Sequence, residues 1–231
     1  MTARFEAIAD DAWLLQLGDR IDATTNAGVH ALSERIRQHS PAWLHDLVPA
    51  YASLGVFFDS AVISADAVRD WLRTQLGDSS AATAGTVAST HLIEIPVAYG
   101  SDFGPDLDSA AAELGLMPDE LVQRHVNGEY TVAMVGFAPG FPYLLGLDPA
   151  LALPRLATPR TAVPAGSVGI GGAQTGIYPR ESPGGWRLIG RTPLVLFDPA
   201  REPPALLAPG DRVRFVAVQA AADEQTVAAT P

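Results

Sequence analysis

Hydrophobic positions in the first third of the chain fall into four short runs bounded by polar or turn residues, which is typical of β-strands. Apolar runs at 5–8 and 13–17 flank an acidic turn, which predicts a hairpin. Two further runs, 43–48 and 53–58, are separated by a proline and predict another pair of strands.

Helical periodicity is present between the two pairs of strands and again after the second pair. Asp22 or Thr24 can cap a first helix. Behind this cap, apolar residues recur at helical spacing at Val29, Leu32 and Ile36. A second amphipathic helix follows Ser64 and ends at Gly77. Together with the four strands, these helices predict a small α+β domain over residues 1–77.

Small and polar residues dominate 78–90, which predicts a linker. Beyond it we expect a strand, two short helices opened by Pro105 and Pro118, and a strand at 129–135. Short apolar runs then recur between turns at 167–170, 176–178, 186–189, 194–197 and 212–218. This pattern favours a closed or nearly closed β-barrel over 91–218, with a frayed tail at 219–231.

Composition excludes several classes of protein. The chain has 15 basic against 26 acidic residues and a net charge of −11, which argues against a nucleic-acid or anionic-membrane partner. Cysteine is absent, and every basic residue is arginine, so thiolate, Schiff-base and P-loop lysine chemistry are excluded. No signal peptide or membrane span is predicted, and we expect a cytoplasmic protein.

Positive charge is concentrated in one segment of this acidic chain. Residues 149–197 contain five arginines and one acid, a local charge of +4. Arg160 and Arg191 lie in turn-like contexts where forked guanidinium donors can converge on a small anionic substrate. We therefore predict that both are catalytic. The alternative is that they are scattered, solvated arginines.

An aromatic loop, GFAPGFPY at 136–143, precedes this segment. Its glycines and prolines form a rigid frame that can hold Gly140, Phe141 and Tyr143 against a ligand. The alternative is that the aromatic side chains pack into a core of their own.

Several neutral groups add possible hydrogen bonds. Gln174, Thr175 and Tyr178 follow a glycine run, and Ser167 is predicted to bind a ligand. A nucleophilic role for Ser167 is rejected, because no helix follows it and all five histidines precede it.

His125 is the histidine nearest the aromatic loop in sequence, at the end of a predicted helix. It is a predicted catalytic acid or base, with a buried core histidine as the alternative. The histidines are not closely paired, so no metal site is predicted.

The motifs HVNGEYTVAMVGFAPGFPYLLGLD, TPRTAVPAGSVGIGGAQTGIYPRESPGGWRLIGRTPLVLFD and PGDRVRF resemble one family. It unites the B subunit of bacterial 5-oxoprolinase, the Kip-type sensor-kinase inhibitor and allophanate hydrolase subunit 1, also described as carboxyltransferase domain, subdomains C and D. The resemblance implies an α+β domain followed by a cyclophilin-like β-barrel, and it adds Ser182 and Trp186 to the ligand-binding residues. Leu145 and Gly172-Ala173 depart from the family pattern.

For a 5-oxoprolinase the resemblance implies ATP-dependent opening of 5-oxo-L-proline to L-glutamate. ATP, with Mg²⁺, would be bound together with a C-type partner subunit, and an A-type LamB/YcsF protein would complete the complex. Two other functions stay open: inhibition of a sensor histidine kinase, and one half of a biotin-dependent carboxyltransferase similar to urea carboxylase.

Overall fold

A computed structural model describes residues 3–77 and 92–219, which fall into two compact units. The predicted linker 78–90 and nearly all of the predicted tail 219–231 lie outside the described residues. The exact domain boundaries therefore stay predictions.

The first unit has the six predicted elements in the predicted order. They are β1 Arg4–Ala9, β2 Ala12–Gln16, α1 Ala23–His39, β3 Leu44–Pro49, β4 Ser53–Phe58 and α2 Ala65–Gly77. The strands form one antiparallel sheet in the order β1-β2-β4-β3. The α+β prediction is confirmed.

Helix α1 begins where its capping residue places it. Asp22 accepts a hydrogen bond from the Thr25 backbone N–H at 2.8 Å. This hydrogen bond, and to a lesser extent a second one from the Thr25 hydroxyl, lowers the pKa of the Asp22 carboxyl. The apolar faces of α1 and α2 then bury a core with the sheet, including Leu15, Val29 and Leu72.

The second unit is built around a closed barrel. Its barrel strands are β5 Leu92–Tyr99, β6 Tyr130–Val135, β7 Pro142–Leu145, β9 Ser167–Gly171, β10 Gln174–Ile177, β12 Arg187–Arg191 and β13 Arg212–Val218. They close in the order β10-β7-β6-β13-β5-β12-β9. Strands β8 Arg160–Val163 and β11 Ser182–Gly184 form a separate ribbon. Helices α3 Leu107–Leu114 and α4 Pro118–Val126 complete the unit, with a 3-10 turn at Pro149–Leu151.

Pairing of the first and last strands joins the two ends of this unit. β13 runs parallel to β5, with a continuous register from Arg212 opposite Leu92 to Val218 opposite Ala98. A parallel pair needs a long connection, and here the rest of the barrel supplies it. The predicted barrel is confirmed.

Four short segments differ from the expectation. β7 begins inside the sequence predicted as an aromatic loop, and the β8–β11 ribbon was not predicted. The run at 194–197 was expected to be a barrel segment, but it makes only one isolated bridge among the described residues, from Phe197 to Ala205. Strands of three or four residues carry too little periodicity to be identified from sequence.

Strand β9 lies between two hydrophobic clusters. Its large side chains face one cluster, and the glycines that alternate with them face the other. Val168 and Ile170 face the barrel core. Gly169 and Gly171 face the opposite way, toward Trp186. A Cβ atom on Gly171 would lie 2.6 Å from the indole of Trp186. The glycine run therefore provides a flat outer surface on which an aromatic side chain lies.

We predict that Gly171→Ala lowers the free energy of unfolding of the second unit by about 1–3 kcal/mol, because the buried indole has to move. Urea unfolding measures this change. Gly185→Ala is the matched control, since its Cβ would have only ordinary contacts, the nearest at 3.7 Å. Equal stability of the two variants would contradict the packing role of Gly171.

Candidate functional site

The predicted aromatic residues form a cluster on the outside of the barrel. Phe141, Tyr178 and Trp186 are buried together, and the Phe141 ring meets both others edge to face, at centroid distances of 5.1 and 5.7 Å. Tyr143 packs at the edge of the cluster, half-buried. Of the aromatic loop, Phe141 is thus buried in a core, as in the alternative, whereas Tyr143 lies at its edge. The ligand-binding role of these residues stays a prediction.

Phe137, not among the predicted binding residues, is held outward beside this cluster. Its side chain is 63% exposed, and its backbone has a φ of 68°, a region that bulky residues rarely adopt. Gly140 has a φ of 77°, and a Cβ there would lie 2.7 Å from the Cβ of Phe197. Close approach to the neighbouring segment therefore accounts for glycine at position 140.

Arg160 is held by a buried carboxylate that sequence reasoning did not identify. Its Nη2 donates to Asp106 Oδ1 at 2.6 Å. The other oxygen, Asp106 Oδ2, accepts from the backbone N–H of Leu188 at 2.7 Å. Asp106 is 8% exposed, and in the sequence it is recognisable only as a residue at the start of a helix.

Arg191 lies opposite Ser167 in the pairing of β12 with β9, so their side chains share one face of the sheet. Its Nη2 donates to the backbone carbonyl of Asp102 at 3.3 Å. Its guanidinium carbon is 5.5 Å from the centroid of the Phe103 ring. Both predicted catalytic arginines therefore contact the loop between β5 and α3.

Unsatisfied polar atoms mark the same residues. Among residues 92–219, four side-chain nitrogen or oxygen atoms are buried without a hydrogen-bond partner. They are Arg160 Nη1, Ser167 Oγ, Ser182 Oγ and Arg191 Nε. Leaving a buried donor unpaired costs about 1–3 kcal/mol, more for a charged group. All four atoms belong to predicted site residues.

His125 and Thr175 lie in the barrel interior, away from these atoms. His125 Nε2 is 3.0 Å from Thr175 Oγ1, and that hydroxyl donates to the carbonyl of Gly169. Because the hydroxyl has only one proton, Nε2 of the histidine must donate to it. Nδ1 then accepts from the hydroxyl of Tyr99 at 2.8 Å.

Burial keeps His125 neutral. Its side chain is 0% exposed, and desolvation lowers its pKa to about 3. Its ring packs 4.5 Å from that of Phe215. The catalytic role of His125 stays a prediction, and the geometry favours the alternative of a core histidine.

The predicted site residues thus divide between two places. Gln174 is half-buried at the start of β10, opposite Gly171, and alternation places it on the outer side. The outer face and the ribbon hold the arginines, serines and aromatic residues, while the interior holds the histidine and the threonine. In the described ranges no three acidic or histidine side chains cluster to bind a metal. No helix there is long and apolar enough to cross a membrane.

The family model described as carboxyltransferase domain, subdomain C and D, matches residues 3–207. The chain is 41% identical over 227 residues to the 5-oxoprolinase B subunit of Bacillus subtilis (strain 168). That alignment covers 94% of this chain and 95% of the relative.

Solved structures show the same fold. TTHA0988 superposes with a TM-score of 0.78 at 38% identity, and the match covers 90% of this chain but 40% of that longer chain. The urea carboxylase of Kluyveromyces lactis gives a TM-score of 0.71 at 20% identity, covering 94% of this chain and 22% of that one. At that identity the similarity concerns the fold alone.

We predict a pH dependence of stability that depends on His125. The unfolded chain binds a proton near pH 6.5 that the folded barrel excludes down to about pH 3. The contribution of neutral His125 to the free energy of unfolding is therefore complete above pH 6.5. It is lost as the pH falls toward 3, at about 1.4 kcal/mol per pH unit.

Chemical unfolding of the second unit between pH 7 and 3.5 measures this slope. His125→Gln should reduce the slope of unfolding free energy against pH by the contribution of one proton. His45→Gln, a change in the first unit, should leave this slope of the second unit as in the wild type. An unchanged slope in His125→Gln would contradict the neutral, buried state of His125.

Proposed function

Because this chain belongs to the family described as carboxyltransferase domain, subdomain C and D, we propose that it is the B subunit of an ATP-dependent 5-oxoprolinase. In this proposal it acts with partner subunits to open 5-oxo-L-proline to L-glutamate in the cytoplasm. The observation that carries the proposal is the likeness to the Bacillus subtilis 5-oxoprolinase B subunit along nearly the whole of both chains.

The reaction needs activation of an unreactive amide. Resonance makes the lactam carbon a poor electrophile, so the carbonyl oxygen has to be phosphorylated before water can attack that carbon. The C–N bond then breaks as the nitrogen takes a proton, and a second water hydrolyses the resulting acyl phosphate to the carboxylate and inorganic phosphate. Charge develops on oxygen atoms throughout, which fixed arginine and hydroxyl donors stabilise.

The outer face supplies such donors. We assign substrate and transition-state binding to Arg160 and Arg191, supported by the hydroxyls of Ser167 and Ser182, because each has a buried polar atom without a partner among the described residues. Gly140, Phe141, Tyr143, Gln174, Tyr178 and Trp186 shape the surface around them. His125 and Thr175 support this surface from inside the barrel.

ATP is assigned to a site shared with the partner subunit. The sequence has neither a Walker A motif nor G-x-G-x-x-G, so this chain offers no familiar cradle for a triphosphate. The hydroxyls of Ser167 and Ser182 fit phosphoryl oxygens, and they would face the transferred group in the complex. Mg²⁺, when bound with ATP, neutralises phosphate charge.

The partners are a C-type subunit and an A-type LamB/YcsF protein. TTHA0988 carries the matching region as less than half of a longer chain, which supports action beside a further polypeptide region. In the proposed division of labour, this chain and the C-type subunit activate the lactam, and the A-type subunit completes ring opening.

We predict that the purified chain, mixed with both partners and ATP, releases glutamate from 5-oxoproline, and that omission of any component abolishes release. Coupled detection of glutamate measures it. If the complete mixture is inactive and this chain inhibits autophosphorylation of a histidine kinase, the chain is a kinase inhibitor and the proposal is wrong. Carboxyl transfer from biotin would replace it by the carboxyltransferase.

Within the active mixture, Arg160→Ala and Arg191→Ala should each lower kcat/KM about a hundredfold without unfolding, because each removes a charged donor. Arg212→Ala is the control: this arginine is exposed and, among the described residues, pairs with Glu129 at 3.5 Å. Full turnover in both site variants would show that these arginines have no part in the reaction.

A further inference from the structure

Asp106 is fixed on every side by the loop and strand around it. Its backbone N–H donates to the carbonyl of Leu188 at 2.9 Å, and its Oδ2 accepts from the N–H of the same residue. Both bonds hold the carboxylate against β12. Its remaining oxygen, Oδ1, therefore faces Arg160 in one defined orientation.

The loop that carries Asp106 is pressed onto β12 by a glycine. A Cβ on Gly104 would lie 2.0 Å from the carbonyl oxygen of Ile189, so only glycine allows this approach. The N–H of Gly100 donates to the same carbonyl at 3.1 Å. This rigid support is what a group that orients another side chain requires.

We propose that Asp106 is a positioning residue that holds Arg160 so that Nη1 of Arg160 binds the carboxylate of 5-oxoproline. The inference rests on the proposed function and deepens it, because it names the group that the site recognises. Arg160 presents a planar fork: Nη2 is occupied by Asp106, and the buried Nη1 has no partner within residues 3–77 and 92–219. Locking one arm of the fork fixes the direction of the other.

The charge balance selects a carboxylate over a polyphosphate. Two carboxylates from outside the basic segment pair with its arginines: Asp106 with Arg160, and Glu113 with Arg187 at 2.8 Å. They reduce the local charge of residues 149–197 from +4 to +2. A triphosphate carries more negative charge than this, whereas a single carboxylate is balanced within it.

Arg191 completes the balance. Its side-chain contacts among the described residues are a backbone carbonyl and an aromatic ring, and no carboxylate pairs with it there. It therefore keeps its full charge beside the buried hydroxyl of Ser167. Arg160 thus supplies direction, and Arg191 supplies net positive charge at the same loop.

The test uses the reconstituted complex and the Asp106→Asn variant. Asparagine keeps an oxygen for the Leu188 N–H but presents an amide N–H₂ to Arg160, so the guanidinium loses its anchor. We expect KM for 5-oxoproline to rise about tenfold, with a smaller change in kcat and no change in KM for ATP. Arg160→Lys, which keeps the charge without the fork, should give the same pattern.

Asp108→Asn is the matched control, because this exposed residue lies in the first turn of α3, two positions further on. It should leave both KM values unchanged. An unchanged KM for 5-oxoproline in Asp106→Asn, or an equal rise of both KM values, would overturn the positioning role.

A wild-type complex without turnover would instead refute the proposed function. The site is then decided by thermal unfolding of the chain in the presence of 5-oxoproline. Stabilisation of the wild type but not of Asp106→Asn would support the site, and stabilisation of both or of neither would overturn it.

Discussion

The alternation along β9 is the constraint on which the site depends. Two branched side chains, Val168 and Ile170, face the barrel core, while Gly169 and Gly171 leave the outer surface flat. Trp186 lies on that surface, and the other buried aromatic rings pack around it. Any side chain at the two glycine positions would raise this layer, and with it the ribbon that carries Arg160 and Ser182.

Polar groups in the interior of the barrel differ from those on its outer face in whether they have hydrogen-bond partners. His125 is buried, neutral and bonded at both nitrogens, as a structural polar group is. Nη1 of Arg160 and the hydroxyl of Ser167 are buried and have no hydrogen-bond partner within the described residues. Since native proteins rarely leave such donors without a partner, the outer face is the better place for a ligand.

Much of the fold could be predicted from the sequence, because long elements repeat their pattern several times. Both helices of the first unit and the strand ending at Val135 have at least three repeats of their period. The β8–β11 ribbon has only three or four residues per strand and depends on pairing across about twenty residues. The proline and glycine of β11 argue locally against a strand, so tertiary contacts decided the outcome.

Site residues were predictable by chemical type but not by position. The excess of arginine identified Arg160 and Arg191, yet the residue that orients one of them lies 54 positions earlier. Asp106 looks like an ordinary residue at the start of a helix, and only the folded chain brings it to Arg160. The role of His125 stayed open between two alternatives for a similar reason, because sequence shows a histidine near the site but not the side of the barrel wall on which it lies.

The Asp106–Arg160 pair has a geometric rather than an energetic explanation. Burying an ion pair removes two charges from water, and replacement by apolar residues is often neutral or stabilising. The ribbon forms a sheet of its own, separate from the barrel, and this pair ties it to β12 through the Leu188 N–H. An apolar contact could join these two layers equally well, but it would not hold a charged fork in one direction. The ion pair is therefore explained by its role in orienting the Arg160 guanidinium toward a ligand.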